Sequence, residues 1–509
     1  MTRLTLLVAA AIVLSAPAPS RAQGGQGAAP PLLVPLSGRS APGGSVVATQ
    51  TAVPGATASV DTINPVVQVQ GAFAGSTRRG AKAPLTGALS LQEALRRGLE
   101  HNLGALNIGE VVNQARGQRA VARSALLPNV ATDLTATRQQ INLAALGFRI
   151  SSPLPGFDFP TVVGPFNQID VRARVSQTLL DLTAWNNYRA SSETLRANEL
   201  SAGDAHNLVV LAVGGAYLQT VAARARVAAA RAQLETANAL HQQNEQRRAV
   251  GLLAQVDVGR SQVQALTQQQ RLTSLQNDFG KQKINLARMI GLPPTDQYEI
   301  GDDVPFAAGP ALPLETALRQ ALDNRMDLKA AEAHLRAAER ARAAAHAERL
   351  PSVSVSADYG AIGGSFPDAR GTYAISGRVR VPIWQGGYAE GAIQQAEAAV
   401  RQRGAELDDV SSQIEADVRK AYLDIDAATS QVQVALRNQD VARQTLDLTR
   451  QRFDAGISDN VEVVQAQESA AVAALDYINS VFAHNLAKLS VARAIGVAAE
   501  GLPELLKLP

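Results

Sequence analysis

The chain contains one long unit twice, and this constrains its fold more than any local motif does. LSLQEALRRGL at residues 89–99 returns as LPLETALRQAL at residues 312–322, an offset of 223 positions (312 − 89). The same offset carries Leu127 and Pro128 onto Leu350 and Pro351. Further along, Ala216, Tyr217 and Leu218 return as Ala421, Tyr422 and Leu423, an offset of 205 (422 − 217). That offset still holds for Gly251 and Gly456, and for Ala287, Arg288, Ile290 and Gly291 against Ala492, Arg493, Ile495 and Gly496. An offset that changes once means two copies of one fold, the first carrying 18 extra residues (223 − 205) around its strand pair. The period is far longer than that of a short solenoid repeat. It predicts two homologous halves set around an axis.

Within each copy the hydrophobic period switches in a fixed order. Residues 89–127 show helical spacing through Leu91, Leu95 and Leu99, with Gly98, Gly104, Gly109 and Gly117 predicting a broken helix that Pro128 stops. The second copy, 312–350, is more helical in composition and stops at Pro351. After each proline the period becomes two: Val130, Thr132, Leu134 and Ala136 in one copy, Val353, Val355, Ala357 and Tyr359 in the other. Gly/Pro-rich loops at about 147–166 and 360–371 precede returning strands, one holding Ile169, Val171, Ala173 and Val175, the other Tyr373, Ile375, Val379 and Val381. Proline-free stretches at about 183–249 and 388–453 then predict helices on the order of 100 Å long. Gly214 and Gly215 predict a local bend in the first. Gly251 and Gly456 end these helices, and shorter helices follow at 256–290 and 460–495.

The resulting organisation is an export signal at 1–22, a leader at 23–84, a first repeat at 85–291, a linker at 292–311, a second repeat at 312–497 and a tail at 498–509. Arg3 followed by the apolar run Leu4 to Leu14 and the small residues before position 23 form the signal, too short to span a membrane. No later stretch reads as a spanning helix. The leader, rich in Gly, Ala, Pro, Val and Ser, reads as flexible, the alternative being an arm lying along the folded body. The absence of cysteine excludes disulfides, thiol chemistry and a lipid-modified N-terminal cysteine. Without Arg3 and Arg21 the net charge falls from +3 to +1, which is no electrostatic footprint for nucleic acid.

Exported strands with one apolar and one polar face suit a membrane barrel. Hydrocarbon tolerates sheet only where every edge is closed, and four strands cannot close. Eleven of the twenty aromatics, among them Phe166, Trp185, Tyr188, Tyr359, Tyr373, Trp384 and Tyr388, lie in or beside the strands, as interfacial girdles do. The chain must therefore pool strands with identical copies.

The duplicated order, with RFDAG at 452–456 followed by VEVVQA at 461–466, resembles the TolC-like outer-membrane efflux and secretion channels over roughly residues 89–496. The resemblance implies an α+β membrane protein. It would be a homotrimer forming a 12-stranded outer-membrane β-barrel, continued by a long periplasmic α-helical barrel. Its partners would be a periplasmic adaptor, an inner-membrane transporter and outer-membrane lipid, with no cofactor and no nucleic acid. The resemblance also places the tip at the turns Arg247–Asp257 and Arg452–Gln465. Adaptor contacts would come from Arg247, Arg248, Gly251, Arg452, Gly456 and Asp459. The constriction would involve Glu462, Gln465, Asp257, Phe453, Ser458 and Arg260, with three copies of Glu462 forming a carboxylate ring. Phe453 stands where the family usually has tyrosine, and Ser458 where its best-known members have arginine. A latch would then fall to Arg247, Arg248 or Arg260. Arg172, Arg174, Arg378 and Arg380 lie on the polar strand faces and would line the barrel lumen.

No phosphate loop occurs and the six histidines lack ligand spacing, so neither an enzyme nor a metal site is expected. The function implied is passive exit of small molecules through a tripartite efflux pump. The alternatives are the outlet of a type I protein secretion system, or a periplasmic coiled-coil scaffold without a pore.

Overall fold

The computed structural model describes residues 45–54, 61–77, 87–145, 147, 161–293, 298–303, 306–307 and 312–498. The export signal expected at 1–22 lies outside them, as does the tail beyond Ala498. The first copy runs through strand β3 (Ala88–Leu89), helices α1 (Leu91–His101) and α2 (Leu103–Ser124), strands β4 (Asn129–Asn142) and β5 (Val162–Leu180), and helices α3 (Leu182–Ala249) and α4 (Gln255–Met289). After β6 (Glu299–Ile300) the second repeats the order: α5 (Leu314–Asn324), α6 (Met326–Ala347), β7 (Ser352–Gly363), β8 (Arg370–Arg380), α7 (Tyr388–Asp454) and α8 (Asn460–Ile495). Strands β1 (Val46–Pro54) and β2 (Asp61–Val69) and a 3-10 turn at Gly71–Ala74 precede both copies.

The leader is therefore not flexible throughout. β1 and β2 pair antiparallel from Val46↔Val69 to Pro54↔Asp61. Val46 and Phe73 are buried in the same core as the middle of α3 and the end of α8. Glycine- and proline-rich composition hides this arm, because its stability comes from docking on helices rather than from a periodic pattern of its own.

Glycines also act differently from their sequence reading. The first helical segment breaks at Asn102, which leaves helical geometry (φ −64°, ψ 131°) and accepts a hydrogen bond from the Gly104 N–H at 2.9 Å, capping α2. The second copy breaks too, at Arg325 (φ −60°, ψ 119°), rather than continuing to Pro351. Gly98 and Gly104 are places of close approach: a Cβ at Gly98 would stand 2.7 Å from Val213 Cγ2, and one at Gly104 2.3 Å from the Phe73 ring. Likewise α3 runs unbroken through Gly214 and Gly215, and a Cβ at Gly215 would stand 2.7 Å from Val67.

The two hairpins share one sheet of order β4-β5-β7-β8. Its strands outrun the sequence reading. β5 begins at Val162, and β7 continues to Gly363, inside stretches that glycine and proline mark as loops. Gly360 is required there, since a Cβ would meet the Val171 carbonyl oxygen at 2.1 Å. On the apolar face Val130 pairs with Val175, Leu134 with Val171, and Tyr359 with Tyr373.

At about 1.5 Å per residue, α3 (68 residues) and α7 (67 residues) each extend on the order of 100 Å. The main core lies around the middle of α3, where Val209 to Val213 and Tyr217 pack against α1, the ends of α4 and α8, and the arm. This gives α3 one stretch long and apolar enough to cross a membrane, contrary to the sequence reading, and 72% of it is buried inside the protein. Its apolarity serves the core. The equivalent part of α7 forms a second core through Ile414, Val418 and Ala421 with α5.

Candidate functional site at the helical tip

The α3/α4 and α7/α8 turns lie side by side. Each long helix ends in a left-handed glycine, Gly251 (φ 75°) and Gly456 (φ 73°), which lets the following amide reach back: Leu252 N–H to the Arg247 carbonyl and Ile457 N–H to the Arg452 carbonyl, both at 2.8 Å. Asp459 opens α8 by accepting the Glu462 N–H at 3.0 Å.

Cross-links between the repeats fasten the two turns together. Arg247 donates to the Phe453 carbonyl at 3.1 Å and to Asp454 Oδ1 at 2.8 Å, with its guanidinium 4.5 Å from the centre of the Phe453 ring. Gln243 donates to the same Asp454 oxygen at 2.8 Å. Beneath them, buried Asn244 donates to Asn460 Oδ1 at 2.9 Å, and Asn460 donates to the Asp257 carbonyl at 3.0 Å. Asn244, Asn460, Gln243 and Asp454 escape a family-based reading. The signal for Asn244 is an amide one helical turn beyond Leu240 in an otherwise apolar seam.

Phe453, expected at the constriction, lies inside the tip of the single chain. It is 4% exposed and packs with Leu240 and Val463 in a small core between the turns. Burial of a ring without a hydroxyl needs no polar partner, so it serves as packing under Arg247. The carboxylate of Glu462 is half exposed and accepts the Ser458 hydroxyl at 2.5 Å, with Arg452 at 4.0 Å. Asp257 accepts from Arg260 at 3.3 Å. Gln465 and Arg260 line an open groove of about 490 Å³ with Val263, Val461 and Val464. Arg248 is exposed in the last turn of α3.

In the sheet, Arg172 bridges Asp170 at 2.9 Å and Asp358 at 3.1 Å, so it ties the two hairpins. Arg174 stands 3.1 Å from Asp133. Both guanidiniums are thus compensated by carboxylates on the same face. Arg378 and Arg380 are exposed and stand opposite Ser354 and Ser352 in the ladder.

Such a protomer, with a duplicated sheet of amphipathic strands continued by long paired helices, defines the class of TolC-like channel subunits. Residues 110–292 and 317–497 each match the outer membrane efflux protein family, and the chain belongs to that family. It is an outer-membrane protein, and its family is one of efflux proteins rather than enzymes. A pyoverdine export outer membrane protein, OpmQ of Pseudomonas putida, is 25% identical over 300 residues, covering 56% of this chain and 60% of the relative. The OpmQ of Pseudomonas aeruginosa is 26% identical, and the match covers 56% of its length. The chain thus spans less than two thirds of these relatives. Among solved structures, VceC of Vibrio cholerae superposes with a TM-score of 0.69 at 20% identity, covering 81% of this chain and 97% of that one. The Campylobacter jejuni CmeC channel gives 0.72 at 17% identity, covering 80% and 86%. At these identities the likeness establishes the fold.

Proposed function

We propose that three copies of this chain assemble into an outer-membrane exit duct, the channel component of a tripartite efflux pump. The observation that carries the reading is the four-stranded sheet, with β4 and β8 as its edges and a water-averse outer face. Val130, Leu134, Tyr359, Tyr373 and Ile375 on that face are 65–74% exposed in the single chain. Four strands are too few to close, and three copies supply the twelve of a closed barrel set in outer-membrane lipid. The helices support the same assembly. Val434, Val441 and Leu448, spaced seven residues apart on α7, are 60–67% exposed, a seam that fits a helix of a second copy.

Transport through such a duct is passive. The tip turns are the natural contact for a periplasmic adaptor, with an inner-membrane transporter supplying energy. The likeness to proteins named for pyoverdine export favours small molecules as cargo. The test is the full chain purified from outer membranes. A detergent-resistant trimer that heat converts to monomer, and that conducts ions in planar bilayers, is expected. A monomer without conductance overturns the reading.

A further inference from the structure

Asn102 and Arg325 occupy the same place in the two copies, 223 positions apart (325 − 102), each at the break between two helices. Their surroundings differ in chemistry. Arg325 is 5% exposed and is held by charge: it donates to Asp327 at 2.9 and 2.5 Å and to Asp417 at 3.3 Å. Arg493 on α8 stands 2.8 Å from Asp204 on α3.

In the first copy both carboxylate partners of Arg325 are missing. Gly104 stands at the position of Asp327 and Ala212 at that of Asp417, and a third small residue, Gly215, stands at that of Lys420. The N-terminal arm occupies the vacated region. Phe73, 1% exposed, lies so close over Gly104 that a Cβ would stand 2.3 Å from its ring. Val67 lies over Gly215 in the same manner, at 2.7 Å. The backbone is stitched as well. Asn102 donates to the Phe73 carbonyl at 2.8 Å, Leu103 N–H to the Gly75 carbonyl at 2.9 Å, and Thr77 N–H to the His101 carbonyl at 2.9 Å. The Ser76 hydroxyl reaches the Arg288 carbonyl on α4. β1 and β2 contact both α3 and α8, so the arm also spans the two repeats.

We propose that the arm, residues 45–54 and 61–77, is a strap that locks the helix joint of the first repeat, taking the part that the ion pairs of buried Arg325 play in the second. A ring built from such chains has alternating locks, one apolar and independent of salt, the other ionic. The strap is a conformational element of the fold, separate from the tip and from the strand wall. The glycines Gly104 and Gly215 are its receptor, shaped for one aromatic ring and one branched aliphatic side chain.

Hydrogen–deuterium exchange on the full-length protein tests this, with amides 101–106 and 324–329 as the two readouts. Phe73→Ala is expected to speed exchange at 101–106 and in the arm at least tenfold while leaving 324–329 unchanged. Gly104→Val, which fills the receptor and displaces Phe73 while leaving the arm's own sequence unaltered, is expected to do the same. Arg325→Met is expected to speed 324–329 and spare 101–106. Retained far-ultraviolet circular dichroism marks variants that fold, and Gly104→Ala is the milder substitute where Gly104→Val does not. Equal acceleration at both joints, no change at 101–106 on loss of Phe73, or an arm exchanging at unstructured rates in the unmodified protein overturns the proposal. These readouts do not depend on conductance, so they stand apart from the channel reading.

Discussion

Arg247, in the last turn of the first repeat's long helix, lies 2.8 Å from Asp454, the last residue of the second repeat's long helix, and covers the Phe453 ring beneath it. One side chain thus joins the two turns of the tip. Asp454 is more than half exposed, so solvent screens the pair, and its direct contribution is on the order of 0.5–1 kcal/mol. The cation over the ring adds about as much again. Arg247→Met is expected to lower the thermal stability of the tip modestly, to speed exchange at 452–462, and to show coupling with Asp454→Asn in a double-mutant cycle. Additive effects of the two substitutions would mean that the bridge has no role in holding the turns together.

Glu462 offers a second measurement. Its carboxylate stays on the surface of the first helical turn of α8, where it accepts the Ser458 hydroxyl. In a threefold assembly three such carboxylates attract cations. Glu462→Gln is expected to reduce the cation-to-anion permeability ratio, read as a shift of the reversal potential across a salt gradient. Ser458→Ala removes the hydroxyl donor and leaves the charge, so its selectivity is expected to stay near that of the unmodified protein. An unchanged reversal potential for Glu462→Gln would rule out a carboxylate ring at this position.

What the sequence made legible follows from periodicity. Strands such as Val130–Ala136 and Val353–Tyr359 alternate strictly because one face is apolar, and α3 and α7 carry long proline-free seams. Duplication then doubled each weak signal. What stayed hidden depends on contacts distant in sequence. Gly104 and Gly215 read as helix breakers because Phe73 and Val67, which need the space, come from a leader with no periodic pattern. Gly360 reads as a loop for the same reason: its partner is the Val171 carbonyl across the ladder. At the tip, Arg247 was visible as a candidate, whereas the burial of Phe453 follows from packing between turns some 200 positions apart, which no local pattern carries.

Gly360 also supports a prediction for the sheet. β5 and β7 join the hairpins of the two repeats, and Gly360 faces Arg172 in their ladder. Arg172 in turn bonds Asp358 two residues earlier on β7. Gly360→Val would push a side chain into the Val171 carbonyl and the Arg172 stem, costing about 1–3 kcal/mol or more by overpacking. Heat conversion of trimer to monomer on gels is expected to occur at a lower temperature. Gly377→Val on β8, where a Cβ meets nothing within 4 Å, is expected to leave that temperature nearly unchanged. Equal effects of the two substitutions would remove the special role of Gly360.

His484 gives the chain an acid-sensitive point in its core. It is fully buried on α8, its ring centre 4.7 Å from that of Phe306, and Lys488 lies one turn away, also buried. Burial first, and the Lys488 charge second, push its pKa down from 6.5 to about 4. The unfolded chain therefore takes up this proton near pH 6.5, while the folded chain stays neutral until about pH 4. Between those values the unfolded state binds more protons, so stability falls as pH falls, by up to about 1.4 kcal/mol per pH unit from this group. His484→Phe keeps an aromatic ring in the site and removes the proton. Thermal unfolding followed from pH 7.5 to 4.5 is expected to show a shallower acid loss for His484→Phe than for the unmodified protein, with the two curves diverging below about pH 6.5. Parallel curves across that range would show that another group governs the acid response.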